Sequence, residues 1–291
     1  MEQGLLLKGI GSFYEVLLDD GARVTCKARG LFRKKGLVPT VGDRVLVEQQ
    51  PSGYALLSEI LPRKNLLVRP AVANIDQIFL VVSATSPAPD WLLLDRLIVQ
   101  AMRLNVKPIP VLNKLDTTAD PSVSETFLRE YHAFDTVLMS AVTGEGVERM
   151  RKMLPDHISC FAGQSAVGKS SILNALFPEL ELKTGTLSEK TERGRHTTRH
   201  AELWPYHGGA VLDTPGFSFF ETDCLTQQEL DACYPEFQEA ERCRYPDCMH
   251  ISEPDCGVRT LLETGGLTEA RYQRYIEIAK EYQQRRKHRY D

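Results

Sequence analysis

Gly163-Gln164-Ser165-Ala166-Val167-Gly168-Lys169-Ser170 stands between an apolar stretch, residues 157–162, and a segment at 169–177 that ends before Pro178. A strand running into such a G-x-x-x-x-G-K-S loop, with a helix opening behind it, is the setting in which the motif binds phosphate. Its glycines let backbone N–H groups close around the phosphates, Lys169 neutralises the β and γ oxygens, and Ser170 offers its hydroxyl to magnesium. The expected nucleotide contacts are Gly163, Gln164, Ser165, Ala166, Val167, Gly168, Lys169 and Ser170, with Ser171 in the same turn. This much leaves adenine and guanine nucleotides both open.

Asn113-Lys114-Leu115-Asp116 decides between them. Guanine presents N1–H and N2–H donors, which a carboxylate accepts in a two-pronged hydrogen bond, whereas adenine would turn the lone pair of N1 on a buried carboxylate. Asp116 is thus expected to select the base, Asn113 to support the loop and the N7 edge, and Lys114 to lay its stem along the ring. Ser140-Ala141 ends the next strand, where the Ala141 N–H can donate to guanine O6. Asp213-Thr214-Pro215-Gly216 follows the apolar run 210–212, so that Asp213 holds magnesium through water and Gly216 gives its N–H to the γ-phosphate. The order is guanine reader, phosphate loop, magnesium aspartate, whereas ordinary small GTPases begin with the phosphate loop. A circular permutation of this kind preserves the pocket, because nucleotide sites of open α/β sheets are built from loops at the carboxyl ends of parallel strands.

Residues 67–222, which contain these motifs, alternate strand and helix. Residues 75–84 and 106–112 are continuous apolar runs rich in Val and Ile, as expected of parallel strands buried on both faces. Asp90 can cap a helix over 91–104, and further strands are expected at 136–139 and 157–162. Between the phosphate loop and Asp213 lies Lys190-Thr191-Glu192-Arg193-Gly194-Arg195-His196-Thr197-Thr198-Arg199, polar and cationic, hence a switch loop. Thr198, with Thr197 as the alternative, is expected to ligate magnesium. Phe217 occupies the position where many GTPases carry a glutamine that orients the attacking water, and a phenyl ring cannot do that. His196 is the candidate for that task, the other reading being a contact to phosphate or RNA.

The flanks differ from this middle. Residues 1–66 hold five short alternating stretches (5–10, 13–18, 22–28, 44–49 and 54–60), which read as a small barrel of the OB type. Between the third and fourth, Arg29-Gly30-Leu31-Phe32-Arg33-Lys34-Lys35-Gly36 sets an aromatic ring among cations, a combination that suits single-stranded nucleic acid. Residues 223–291 carry Cys243-x4-Cys248-x-His250-x5-Cys256, three thiolates and one imidazole of the kind that close a structural zinc site. Thr268 can cap a helix bearing Tyr272, Tyr275, Ile276, Ala279 and Tyr282. In the same tail Arg271, Arg274, Lys280, Arg285, Arg286, Lys287 and Arg289 outnumber Glu277, Glu281 and Asp291, on a chain whose net charge is -4. Arg29, Arg33, Lys34, Lys35, Arg271, Arg274, Arg285 and Arg286 are the expected RNA contacts.

The fold class is therefore multidomain α/β: an OB-type β-barrel (1–66), a circularly permuted P-loop GTPase with a mostly parallel, doubly wound sheet (67–222), and a C-terminal zinc-binding module with helices (223–291). The 291 residues suit two or three domains. No apolar run approaches the roughly 18 residues of a membrane helix, and seven cysteines, an odd number with several in apolar strands, argue for a reducing compartment. A cytoplasmic protein without membrane attachment is expected.

With Arg29-Gly30-x-x-Arg33-Lys34-Lys35 and Val41-Gly42-Asp43 in the barrel, Gly194-Arg195-His196-Thr197-Thr198 in the switch and the Cys-Cys-His-Cys cluster, the chain resembles the ribosome small-subunit-dependent GTPase A family (RsgA, also called YjeQ or YloQ) over essentially its whole length. The resemblance implies a late assembly factor that binds the 30S subunit, touches 16S rRNA with its outer domains, and hydrolyses GTP to GDP when the subunit stimulates it, hydrolysis promoting release. One structural Zn2+, Mg2+ with GTP or GDP and a monomer off the ribosome are expected, and the switch histidine matches a catalytic candidate of that family. The competing readings are a nucleotide-gated RNA-binding protein with incidental hydrolysis and a metabolic phosphotransferase.

Overall fold

The computed structural model describes residues 1–28, 32, 36–50, 54–68, 70–118, 120–180, 201–213 and 225–288, with backbone alone at 180, 213 and 286–288. Five strands form the N-terminal barrel: β1 (Glu2–Ile10), β2 (Phe13–Leu18), β3 (Arg23–Ala28), β4 (Arg44–Glu48) and β5 (Ala55–Ile60). Their order is β1-β2-β3-β5-β4, β4 pairs back onto β1, and β3 with β5 is the parallel pair among antiparallel ones. Leu6, Val16, Cys26, Val45, Val47 and Leu57 fill the interior. A register shift between Leu6 and Lys8 re-aims β1, so that Leu5, Leu6 and Leu7 are all buried. Asp43 of the Val-Gly-Asp sequence is fully buried and accepts Arg63 Nε at 2.7 Å and the Thr40 N–H at 2.7 Å, tying the barrel to the chain that leaves it.

Phe32 corrects the expectation of an exposed ring among the cations of residues 29–36. It is 7% exposed and packs in the barrel core, because burying a large aromatic surface outweighs leaving it in water. Arg29, Arg33, Lys34 and Lys35 lie outside the described residues.

After a hairpin of β6 (Leu66–Val68) and β7 (Ala71–Ala73), the chain enters the nucleotide domain. Its strands are β8 (Gln77–Ser83), β9 (Lys107–Asn113), β10 (Val137–Leu138), β11 (Ile158–Ala162), β12 (Glu202–Tyr206) and β13 (Gly209–Asp213), in the order β10-β9-β8-β11-β13-β12. All pair in parallel except β12 with β13. Residues of β8 alternate between two cores: Ile78, Leu80 and Val82 face α1 (Trp91–Arg103), while Phe79 and Val81 join Ile172 and Leu173 of α4 (Lys169–Leu176). A continuous apolar run therefore serves both faces of the sheet, which α2 (Ser122–Glu130) and α3 (Val147–Arg151) complete. The edge strand β12 is not among the strands expected from the sequence. It pairs antiparallel with β1 at Glu202 opposite Lys8, whose ammonium contacts the Glu202 carboxylate at 2.5 Å, and so continues the sheet into the barrel.

The C-terminal residues pack on α1. They comprise α5 (Gln227–Asp231), α6 (Gly257–Glu263) and α7 (Glu269–His288), and Leu92, Val99 and Met102 of α1 join Tyr234, Tyr275 and Ile278 in one apolar cluster. The Thr268 hydroxyl accepts the Arg271 N–H at 3.2 Å, as expected of a cap. Arg271 and Arg274, expected to face RNA, do not. Arg271 is 1% exposed, contacts the buried Asp95 of α1, and donates from Nε to Glu236 at 2.7 Å. Arg274 donates to Asp95 at 2.6 Å and to Glu130 at 2.7 Å. Two buried carboxylates on α1 and α2 and a third on the 3-10 turn Pro235–Glu239 claim these guanidinium groups, because a buried charge left unpaired is costly. Arg285 is exposed, and the side chain of Arg286 is outside the described residues.

Candidate functional site

Strand β11 delivers the chain to the phosphate loop and α4 carries it away, so residues 163–168 lie at the carboxyl end of the parallel strands. Gly163 (φ +142°) and Gly168 (φ +100°) hold backbone conformations that a side chain resists. A Cβ at Gly163 would meet Val81 O at 2.1 Å, and one at Gly168 would meet Asn113 Nδ2 at 2.3 Å. The loop is therefore pressed against both the strand beside it and the Asn-Lys-x-Asp segment. Lys169 Nζ lies within the loop, donating to Gly163 O at 2.8 Å and Gln164 O at 2.5 Å, and burial pushes its pKa down. Ser170 and Ser171 follow in the first turn of α4.

Asn113 ends β9 and is 1% exposed. Its Nδ2 donates to Val167 O at 2.9 Å, and its Oδ1 accepts the Ala141 N–H at 3.2 Å, so one amide ties the Asn-Lys-x-Asp segment both to the G-x-x-x-x-G-K-S loop and to the Ser140-Ala141 turn. In this arrangement the Ala141 N–H, expected to point at guanine O6, bonds to Asn113. Lys114 adopts the left-handed conformation (φ 67°), and its Nζ donates to Ser86 O. Ser140, fully buried, donates its hydroxyl to Asp116 Oδ1 at 2.5 Å while accepting the Thr143 N–H at 3.1 Å. A hydroxyl clamped in this way fixes the Asp116 carboxylate.

Two partners escaped the sequence reading. The sequence places Ser140 only within a dipeptide near guanine O6, whereas in the structure it holds Asp116. Asp90, read as a helix cap, does accept the Leu93 N–H at 2.9 Å, but its second oxygen accepts Gln164 Nε2 at 3.0 Å and so binds the phosphate loop to α1. The backbone of Asp213 ends β13, beside β11. Thr197, Thr198, His196, Gly216 and Phe217 lie outside the described residues.

The thiols of Cys243, Cys248 and Cys256 and one ring nitrogen of His250 all lie within 4.8 Å of one another. His250 Nδ1 is 3.4 Å from both Cys243 Sγ and Cys256 Sγ, and its Nε2 is 3.2 Å from Asp231 Oδ2. A carboxylate behind a histidine that faces soft donors is the usual outer shell of a zinc ligand. Asp231 is held in turn by Tyr275 OH at 2.9 Å and Gln227 Nε2 at 2.7 Å. Burial resists ionisation of Cys243, but N–H groups at the start of α6, above all that of Gly257, together with His250, outweigh it and lower its pKa. Burial likewise opposes charge on His250, yet Asp231 and the neighbouring sulfurs raise its pKa to about 9. Three sulfurs and one nitrogen in this compact set fit a tetrahedral zinc ion. Nothing in the Cys-x4-Cys-x-His-x5-Cys spacing announces Asp231, which belongs to a separate helix.

The G-x-x-x-x-G-K-S loop, the Asn-Lys-x-Asp segment that precedes it in sequence and the backbone of Asp213 that follows it lie at one end of a parallel sheet, the arrangement of a circularly permuted P-loop GTPase. The family model of the RsgA GTPase matches residues 60–223, and that of the RsgA N-terminal domain matches residues 3–57. The small ribosomal subunit biogenesis GTPase RsgA of Geobacillus sp. (strain WCH70) is 43% identical over 98% of this chain and 99% of its own. That of Caldanaerobacter subterraneus subsp. tengcongensis is 44% identical over 99% and 98%. Among solved structures, YjeQ from Thermotoga maritima superposes with a TM-score of 0.84 at 34% identity over 97% of this chain and 98% of that one. YloQ, a circularly permuted GTPase, gives 0.83 at 34% identity over 98% and 96%. The chain belongs to the RsgA GTPase family, and its activity is hydrolysis of GTP.

Proposed function

We propose that this GTPase acts in late maturation of the small ribosomal subunit, binding the 30S particle through 16S rRNA, hydrolysing GTP when the particle stimulates it, and leaving after hydrolysis. The observation that carries this reading is the identity above 40%, along nearly the whole chain, with relatives named for small-subunit biogenesis. The division into a barrel (1–66), a GTPase domain (67–222) and a zinc module (223–291) belongs to the same reading, as do a cytoplasmic location and a monomeric state off the ribosome. The RNA contacts proposed are Arg29, Arg33, Lys34, Lys35, Arg285 and Arg286.

In the site, Asp116 accepts from the guanine N1–H and N2–H while Ser140 keeps it in place. The loop from Gly163 to Gly168 and Lys169 hold the phosphates. Ser170, Thr198 and Asp213 would hold Mg2+, which supplies charge neutralisation at the β and γ oxygens. Cys243, Cys248, His250 and Cys256 would hold Zn2+, which closes the C-terminal loop. Phe217 cannot orient water, so we assign that task to His196, with Arg193, Arg195 and Arg199 near the developing charge. Isolated turnover is then slow, far below the roughly 1–100 per second of efficient phosphoryl-transfer enzymes.

The test is GTP turnover with and without purified 30S subunits across a salt series. Stimulation should appear at low salt and fade as counterions compete for the phosphates, while basal turnover changes much less. His196→Ala should lose the stimulated rate and keep GTP and 30S binding. Absence of any acceleration at low salt would overturn the reading in favour of incidental hydrolysis.

A further inference from the structure

Phe13 and Tyr54 stand on the outside of the barrel, 38% and 45% exposed. Phe13 opens β2 opposite Lys27 of β3, and Tyr54 immediately precedes β5, which runs beside β3. Their ring centroids are 5.5 Å apart, and Lys27 Nζ lies 5.1 Å from the centroid of Phe13 and 4.6 Å from that of Tyr54. Ile10, paired with Phe13 across the hairpin, is 56% exposed and widens the apolar surface. With Phe32 inside the core, the ring surface that single-stranded nucleic acid requires is supplied by these other residues.

We propose that Phe13, Lys27 and Tyr54 form a platform on which one unpaired base of single-stranded RNA stacks, with Lys27 taking the adjoining phosphate. The proposal rests on the RNA-binding reading of the barrel given above. The two ring planes are tilted by 50°, so a base stacks on one ring and meets the other at its edge, and because every base has a π-face the contact does not read sequence. In barrels of this topology the loops joining strands one to two and four to five flank the oligonucleotide face. Phe13 closes the first of these loops and Tyr54 the second. Charge favours the same occupant. Lys27 leads in the chain to Arg29, Arg33, Lys34 and Lys35, and Glu15, next along the same face of β2, is paired with Arg23 at 2.8 Å.

The experiment titrates the full-length protein with GDP against fluorescein-labelled rU12 and, separately, against purified 30S subunits. Phe13→Ala and Tyr54→Ala should each weaken rU12 binding about tenfold, within the range for loss of one base–ring stack. Tyr54→Phe should retain the affinity, and Lys27→Gln should flatten the salt slope of log K by about 0.7, the contribution of one phosphate on a single strand. Basal GTP turnover should not move. Unchanged rU12 affinity in a folded Phe13→Ala/Tyr54→Ala variant overturns the platform. Loss of 30S binding with rU12 affinity intact overturns it as well, assigning the surface to a protein. Arg33→Glu/Lys34→Glu separates the two levels. If that variant weakens RNA binding and the aromatic variants do not, the barrel still binds RNA and only the platform falls; if neither set matters, the RNA-binding reading itself fails.

Discussion

Removing Arg271 tests the buried charge cluster that fastens α7 to the GTPase core. Its guanidinium lies between the rings of Tyr234 and Tyr131, 4.6 and 5.0 Å from their centroids, with Asp95 on one side and Glu236 on the other. In Arg271→Ala, Asp95 keeps Arg274 at 2.6 Å and the Tyr131 hydroxyl at 2.6 Å. Glu236, 1% exposed, keeps no ion pair among the described residues, and its Oε2 has no hydrogen-bond partner there even with Arg271 present. The loss is thus dominated by stranding one buried carboxylate, which costs on the order of 3–5 kcal/mol. Incomplete hydrogen bonding of the wild-type cluster, whose Arg271 Nη1 and Nη2 lack good donor geometry, places the expectation near the lower end, about 3 kcal/mol. The double variant Arg271→Met/Glu236→Leu removes both charges and should return to within about 1 kcal/mol of wild type. Trp91, 6.2 Å from Tyr131, reports the transition by fluorescence in urea in a Trp204→Phe background. A single variant that loses less than about 1 kcal/mol, or a double variant no better than the single, would refute the stranded-charge argument.

Asp116→Asn should move preference from guanosine to xanthosine nucleotides, since the amide donates to the xanthine O2 carbonyl; equilibrium binding that shows unchanged GTP affinity would remove Asp116 from the base pocket. Ser140→Ala takes away the hydroxyl bonded to Asp116 at 2.5 Å, and GTP and GDP affinities should fall together by about tenfold, the low end for a hydrogen bond to a charge, as read by nucleotide titration. Unequal loss for the two nucleotides would place the effect at the γ-phosphate instead. Purified protein should contain one equivalent of zinc, and Cys248→Ala should lose it and unfold the C-terminal module while nucleotide binding persists. Structural zinc is worth on the order of 10 kcal/mol, so retention of the metal in a variant lacking all four ligands would show that it sits elsewhere.

Much of this molecule is written in local patterns. The G-x-x-x-x-G-K-S loop, the Asn-Lys-x-Asp segment and the Cys-Cys-His-Cys cluster each lie within a short stretch of chain, and the strands of barrel and sheet follow from alternation or from unbroken apolar runs. Asp90 caps the helix it precedes, as its position alone implies. What the chain does not announce are pairings between distant segments. Ser140 reaches Asp116, Asp90 reaches Gln164, and Asp231 reaches His250, because the fold brings different loops and helices together. The same holds for Arg271 and Arg274. A basic helix looks like a nucleic-acid surface until α1 and α2 supply Asp95 and Glu130, and only the packed state puts those carboxylates within reach. By itself the sequence determined the residue set of each motif and the fold class, since a motif needs only neighbouring residues. Tertiary structure decided which charges are spent on cohesion, whether Phe32 or Phe13 faces solvent, and how β12 joins the GTPase sheet to the barrel, because burial and long-range pairing exist only once the chain has closed on itself.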